Sequence, residues 1–261
     1  MSPMSTQTLK DANHQLPRVK HRIPMLPFDE GHSEEEILAF DRRVRERLGN
    51  TGPIQFTVEP KIQGEEVEIA YTGGVMSQAS TAGDGYEGED VTANIKTILT
   101  VPLTLWRIGD APPFPEYLEV RGDVYTETAV FEELNRERKE KGVPQFKDAQ
   151  EAAETLIKVN PRITARTPLN IFCHGVGVVQ GTFPRTSYEM MVILQSWGFR
   201  VNRPQIRICE TPEELLAGCR AVRGKCGEWP FPIRGALIQV NSLDLREQIG
   251  KEGGWAFVYR L

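Results

Sequence analysis

Hydrophobic positions along the chain change period several times, and each change marks an element. Ser33 followed by Glu36 makes a capping-box pattern, after which Ile37, Phe40, Val44 and Leu48 recur at helical spacing until Gly49 stops the run. One amphipathic helix is predicted there. From Ile54 the period falls to two: Val67, Ile69 and Tyr71 alternate with charged neighbours, Thr72-Gly73-Gly74 supplies a turn, and Val75-Met76 resumes the strand. Strand-like Leu118 to Tyr125 leads to a charged helix near Glu127 to Lys141, which Gly142-Val143-Pro144 ends. A further helix is predicted over Ala149 to Lys158. Leu169 to Val179 suits a buried strand, Ser187 to Trp197 and Pro212 to Val222 suit helices, and Ile233 to Val240 and Trp255 to Tyr259 complete the strands. Hairpins interleaved with helices point to an α+β fold with mainly antiparallel sheets. Residues 1–20 mix polar side chains with proline and show no sustained period, so they read as a flexible N-terminal arm.

Composition narrows the function classes. At 261 residues and 39% hydrophobic, the chain can bury one large core or two small ones. Its formal charge of -5 exerts no overall pull toward a polyanion, so nucleic-acid binding would need a local basic patch. Cys173, Cys209, Cys219 and Cys226 lie outside CxxC spacing, which indicates neither a zinc ribbon nor a disulfide scaffold and fits a reducing cytoplasm. No apolar run approaches the roughly 20 residues of a membrane helix, and no signal peptide is apparent. His21 and His32 read as surface or packing residues, since no second histidine or cysteine falls at ligand spacing; no metal site is expected. The sign-alternating run Arg136 to Lys141 reads as a solvated helix face.

Candidate chemistry begins at Val58-Glu59-Pro60-Lys61-Ile62-Gln63-Gly64, which looks like the signature of covalent nucleotidyltransferases: a lysine, then an acid two places on, then glycine. Gln63 stands in the acid's place. Alone this tetrad is weak, because a lysine beside a glycine in a strand is usually a solvated charge. Five further segments follow in order: Gly83-Asp84-Gly85 through Gly88-Glu89-Asp90-Val91-Thr92, Leu118-Glu119-Val120-Arg121-Gly122-Asp123-Val124-Tyr125, Pro161-Arg162-Ile163-Thr164, Phe172-Cys173-His174-Gly175-Val176-Gly177, and Trp255-Ala256-Phe257-Val258-Tyr259-Arg260. Upstream lies His21-Arg22-Ile23-Pro24-Met25-Leu26. From about Val19 to Leu261 the chain resembles the adenylation domain of bacterial NAD-dependent DNA ligases.

That resemblance implies a nucleotidyltransferase (ATP-grasp-like) core over residues 21–261, with two mainly antiparallel sheets flanked by helices around an adenylate pocket. In the family a lysine attacks the α-phosphate of NAD, expels nicotinamide mononucleotide, and passes AMP to a DNA 5′-phosphate in replication or repair. Lys61 occupies the nucleophile position. Glu59, Asp123, His174, Arg260, Pro27 and Phe28 fall at cofactor-binding positions, with NAD or AMP as ligand, Mg2+ if the site is active, and no zinc. Glu59 also has a plainer reading, as a strand-edge carboxylate in an ion pair. Gly83, Gly85 and Gly88 open no GKS/T helix and read as turn glycines.

Departures from the family's pattern concern charge. Ala82 stands for an arginine, Gln239 for a phosphate-side lysine, and Arg234 and Gln63 for acids; Asp123 shortens a glutamate, Arg260 replaces a lysine, and His174 replaces an adenine-stacking tyrosine. Lys147 to Glu154 puts acidic residues where the family contacts DNA, which weakens the counterion-release term for nicked DNA. No OB-fold, zinc, helix-hairpin-helix or BRCT segment is read. The favoured expectation is a cytoplasmic, catalytically degenerate homologue that at most binds an adenine nucleotide. The alternatives are a stand-alone adenylyltransferase forming Lys61-AMP from NAD or ATP, and a non-catalytic DNA-end or scaffold protein.

Overall fold

The computed structural model describes residues 16–49, 52–250 and 253–261, so most of the expected arm lies outside the described residues. The end of that segment is not an arm: Arg18–Lys20 forms a strand, β1, paired antiparallel with β6 (Glu87–Glu89). Three residues are too few for a period to show.

A five-stranded sheet runs in the order β2 (Asp29–Gly31), β11 (Ala256–Arg260), β10 (Ile233–Val240), β3 (Phe56–Ile62), β9 (Arg207–Cys209). A four-stranded sheet runs β5 (Val75–Thr81), β4 (Glu65–Thr72), β7 (Tyr117–Thr126), β8 (Leu169–Gln180). Within both sheets the pairings are antiparallel apart from β11 with β2. The described helices are α1 (Glu34–Arg47), α2 (Thr92–Ile95), α3 (Thr128–Glu140), α4 (Ala149–Lys158), α5 (Pro161–Thr164), α6 (Ser187–Ser196), α7 (Pro212–Gly224) and α8 (Leu243–Ile249). This is the expected α+β arrangement of two mainly antiparallel sheets flanked by helices. None of the described helices is long and apolar enough to cross a membrane.

Each sheet turns one face to a hydrophobic core and the other to a shared cleft. Helix α1 starts at a reciprocal cap, in which the Ser33 hydroxyl accepts from Glu36 N at 3.3 Å and Glu36 Oε2 accepts from Ser33 N at 2.9 Å. Its Ile37, Phe40 and Val44 join Leu215, Cys219 and Val222 of α7 in covering Phe56, Val58, Ala236, Ile238 and Phe257 of the five-stranded sheet. Side chains alternate along a strand, so Glu59 and Lys61 of β3, Leu237 and Gln239 of β10, and Val258 of β11 face the other way. In the four-stranded sheet, Val67, Ile69, Leu118, Val120 and Ile171 enter the larger core with Leu156, Leu194 and Trp197 from the helices. The same alternation turns Glu66, Glu68, Arg121, Asp123 and His174 toward the cleft.

The crossing between the sheets is short. Gln63 and Gly64 alone link β3 to β4, and a Cβ at Gly64 would lie 2.4 Å from the Val124 carbonyl oxygen. Glycine at this point lets β7 approach closely enough for Asp123 to meet Lys61. Gly83 and Gly85 adopt φ of 58° and 88°, in keeping with turn glycines, whereas Gly88 is held by the Thr81 carbonyl, which a Cβ would meet at 1.7 Å.

Candidate functional site

Lys61 and Asp123 tie the two sheets together across the cleft. Lys61 Nζ donates to Asp123 Oδ1 at 2.9 Å and Oδ2 at 2.8 Å, and both side chains are buried. Burial by itself would lower the lysine's pKa, but the Asp123 carboxylate, and after it Glu66, outweigh that and hold Lys61 above its usual range. An ammonium so fixed has no lone pair to offer.

Glu59, two residues earlier on the same strand face, is buried on the inner strand β3. The strand-edge reading is therefore corrected: its partner is an amide, Gln239 Nε2, which donates to Oε1 at 3.3 Å. Burial pushes its carboxyl up to about 7, with the nearby positive charges of Lys61 and Arg246 pulling the other way. Arg246, on α8, is half-buried beside it. Its Nε donates to Val240 O at 2.6 Å, its guanidinium stacks 4.4 Å over the Trp255 ring, and burial draws its pKa down to about 9 against the pull of Glu59. Sequence reading missed Arg246 because the seven residues of α8 are too few for a period.

His174 comes from β8 and is 10% exposed. Its Nε2 lies 3.7 Å from Asp123 Oδ2 and 3.8 Å from Glu66 Oε1, too far for a hydrogen bond, and has no hydrogen-bond partner. Burial, then the Lys61 charge, push it down to about 3, so the ring is neutral at pH 7. Glu66 was also missed, although the inward Val67, Ile69 and Tyr71 already assign Glu66 and Glu68 to the opposite face.

Two cavities open on this cleft. The first, about 470 Å3, is lined by Lys61, Gly64, Asp123 and Arg234; the second, about 270 Å3, by His174, Gln239, Arg246 and Trp255. Pro27, Phe28 and Glu66 line both. Leu237, Ala256 and Val258 cluster with Phe28 and Trp255, and of these Val258, Phe28 and Trp255 supply apolar lining to the cavities. The segment carrying Pro27 and Phe28 is fastened by Arg121, whose Nη1 and Nη2 donate to Pro24 O at 3.2 Å and Ile23 O at 2.5 Å while Nε donates to Glu68 Oε2 at 2.8 Å. His21 packs against the same sheet, its two ring nitrogens 3.3 Å from Glu68 Oε1 and 3.2 Å from Ala82 O. His32 is exposed.

Charge around the first cavity is mostly acidic. Glu65, Asp84 and Glu154 join Glu66 and Asp123, against Lys61, Lys158 and Arg234. Lys158 is paired with Glu89 at 2.8 Å and Glu154 at 2.9 Å. Arg234 pairs with Glu30, which also holds Arg260 Nε at 2.6 Å. Arg260, expected at a cofactor position, is not among the lining residues of either cavity, and its guanidinium turns to Glu30 instead. Within the acidic segment Lys147 to Glu154, Asp148 caps α4 by accepting from Glu151 N at 2.9 Å, which sets Gln150 and Glu154 at the cavity wall.

A family model described as the NAD-dependent DNA ligase adenylation domain matches residues 13–261. A DNA ligase of Marinobacter nauticus is 39% identical over 247 residues, 93% of this chain and 36% of that protein. One of Syntrophus aciditrophicus is 41% identical over 231 residues, 88% of this chain and 34% of that protein. The chain thus spans about a third of the length of these curated relatives. Among solved structures, a mycobacterial DNA ligase D complexed with ATP and MES aligns with a TM-score of 0.41 at 8% identity, over 79% of this chain and 54% of that one.

Proposed function

Because this chain belongs to the NAD-dependent DNA ligase adenylation-domain family, we propose that it binds the adenine nucleotide part of NAD or ATP in the cleft but does not load AMP onto Lys61. The observation that carries this reading is the buried Lys61–Asp123 pair. Attack on an α-phosphate needs the neutral amine, and the amine must shed its proton while Asp123 and Glu66 favour keeping it. Positive charge must also be aimed at the phosphate as negative charge builds there. Positions 82 and 239 supply an alanine and a glutamine, and Arg234 is committed to Glu30.

The adenine half fits the cleft. Val258, Phe28 and Trp255 offer an apolar lining, the neutral His174 ring a stacking surface, and Glu59, with its carboxyl near 7, a group able to donate or accept at the base edge. Mg2+, which the family implies, does not fit in the same way. That ion wants near-octahedral oxygen ligands, whereas position 234 holds a guanidinium and the side chain facing Asp123 and Glu66 is the His174 imidazole. No step is derived through it.

A second reading, a stand-alone adenylyltransferase, draws on one observation: Lys61 lines a cavity of about 470 Å3, so a bound phosphate has access to it. Intact-protein mass spectrometry after incubation with NAD or ATP and Mg2+ separates the two. The expected result is an unmodified mass, together with calorimetric binding of AMP or NAD. An added mass of one AMP that disappears in Lys61→Ala would overturn the proposal in favour of the transferase.

A further inference from the structure

Glu66, Asp123 and His174 were not brought together by any sequence spacing, yet one ligand atom from each lies within 4.8 Å of the others. They stand on three adjacent strands of one sheet. Glu66 pairs with Asp123 in the β4–β7 register, and Asp123 pairs with Phe172, two residues before His174, in the β7–β8 register. The ladder of backbone hydrogen bonds therefore fixes their spacing. His174 is nine-tenths buried and its Nε2 faces the two carboxylates with no hydrogen-bond partner. Buried polar atoms are rarely left unpaired without a reason, and the neighbours here are acceptors rather than donors.

We propose that Glu66, Asp123 and His174 form a binding site for a first-row transition-metal dication of the Zn2+ or Co2+ kind, with an open ligand position facing the cleft. One imidazole nitrogen and two carboxylate oxygens are the donors such ions take, and three protein ligands with one free position is the arrangement of an open zinc site. Ligand atoms about 2.1 Å from a tetrahedral centre lie about 3.4 Å apart. The His174 Nε2 separations of 3.7 and 3.8 Å need only a small contraction to reach that, whereas the two carboxylates, within 4.8 Å of one another, need a side-chain rotation that closes up to about 1.4 Å. Glu66 lines both cavities, which gives the ion a path in and leaves its free position open to a water or a nucleotide oxygen. The acidic cavity wall favours a cation, and Arg121, whose guanidinium charge reaches His174, is itself paired with Glu68. The nitrogen donor separates this site from an all-oxygen Mg2+ site.

Lys61 is the competitor. Its ammonium occupies both Asp123 oxygens, so metal and ammonium contend for one carboxylate. The inference does not depend on whether the cleft binds a nucleotide.

The test is a Co2+ titration of the full chain carrying Cys226→Ser, which removes the exposed thiol and leaves the three buried cysteines in place. A visible d–d band saturating at one equivalent, displaced by Zn2+ and indifferent to excess Mg2+, is expected. His174→Phe, which keeps a ring in this position, should lose the band, and Glu66→Gln should weaken Co2+ binding by at least the ~10–100-fold that loss of even an outer partner causes. Lys61→Met should tighten it. A missing band, an unchanged band in a folded His174→Phe protein, displacement by Mg2+, or no gain in a folded Lys61→Met protein would each overturn the assignment. Because metal alone is the probe, failure here leaves the nucleotide reading to its own mass and calorimetry tests.

Discussion

Glu59 carries its proton in the folded protein over a range where an unfolded chain has released it. Its carboxyl rises from 4.5 to about 7, so between those values the native state binds the extra proton and stability falls as pH increases. At roughly 1.4 kcal/mol per unit, the full effect is ~3 kcal/mol, all of it felt above the upper value. Glu59→Gln keeps the shape without the charge. Its stability relative to the parent should therefore improve by ~2–3 kcal/mol between about pH 5 and about pH 8 in urea denaturation. A constant difference across that range would mean that the carboxyl is solvated. His174 works in the opposite sense. Its pKa falls from 6.5 to about 3, so the unfolded chain takes up a proton that the folded one refuses, and stability drops as pH falls through that interval. His174→Phe should show a shallower acid limb in the same experiment.

At the scale of elements, the cleft depends on how closely β3, β4 and β7 approach. A Cβ at Gly64 would meet the Val124 carbonyl at 2.4 Å and the Asp123 Cβ at 3.3 Å, so Gly64→Ala must push β7 outward. A loss of ~1–3 kcal/mol is expected from this overpacking, and the Lys61–Asp123 pair should loosen with it. Thermal melting measures the first, and faster acylation of Lys61 by an amine-reactive reagent, located by peptide mass mapping, measures the second. Helix α1, packed on the core face of the five-stranded sheet, offers a milder control. Ser33→Ala removes the reciprocal cap and should cost about 1 kcal/mol, with nucleotide binding unchanged.

On the scale of the whole molecule, charge decides what can approach. The net charge is -5 and the first cavity is walled largely by acids, and both work against a phosphate backbone. Retention on a nicked duplex at low salt should be weak, and the chain alone should not seal the nick with NAD and Mg2+. Robust sealing would show that Lys61 escapes Asp123 when substrate binds.

The sequence by itself determined the elements and their faces. Helix α4 was expected over Ala149 to Lys158, which are its observed bounds, and β10 likewise over Ile233 to Val240. Such long segments are legible because helical or alternating periodicity repeats several times within them. The three-residue strands β2, β6 and β9, and the helices α2, α5 and α8, escaped because a period cannot be seen in so few positions. The motif around Lys61 was legible in the same local way. What tertiary structure alone decided is which side chains meet. Lys61 and Asp123 are 62 positions apart, and Gln239 and Glu59 180 apart. Alternation states that Glu66, Asp123 and His174 each leave the core face of a strand, but only the order and register of β4, β7 and β8 put them within reach of one another. Periodicity is a property of one segment, whereas the protonation of Glu59, Lys61 and His174 depends on the burial and charges that several segments impose together.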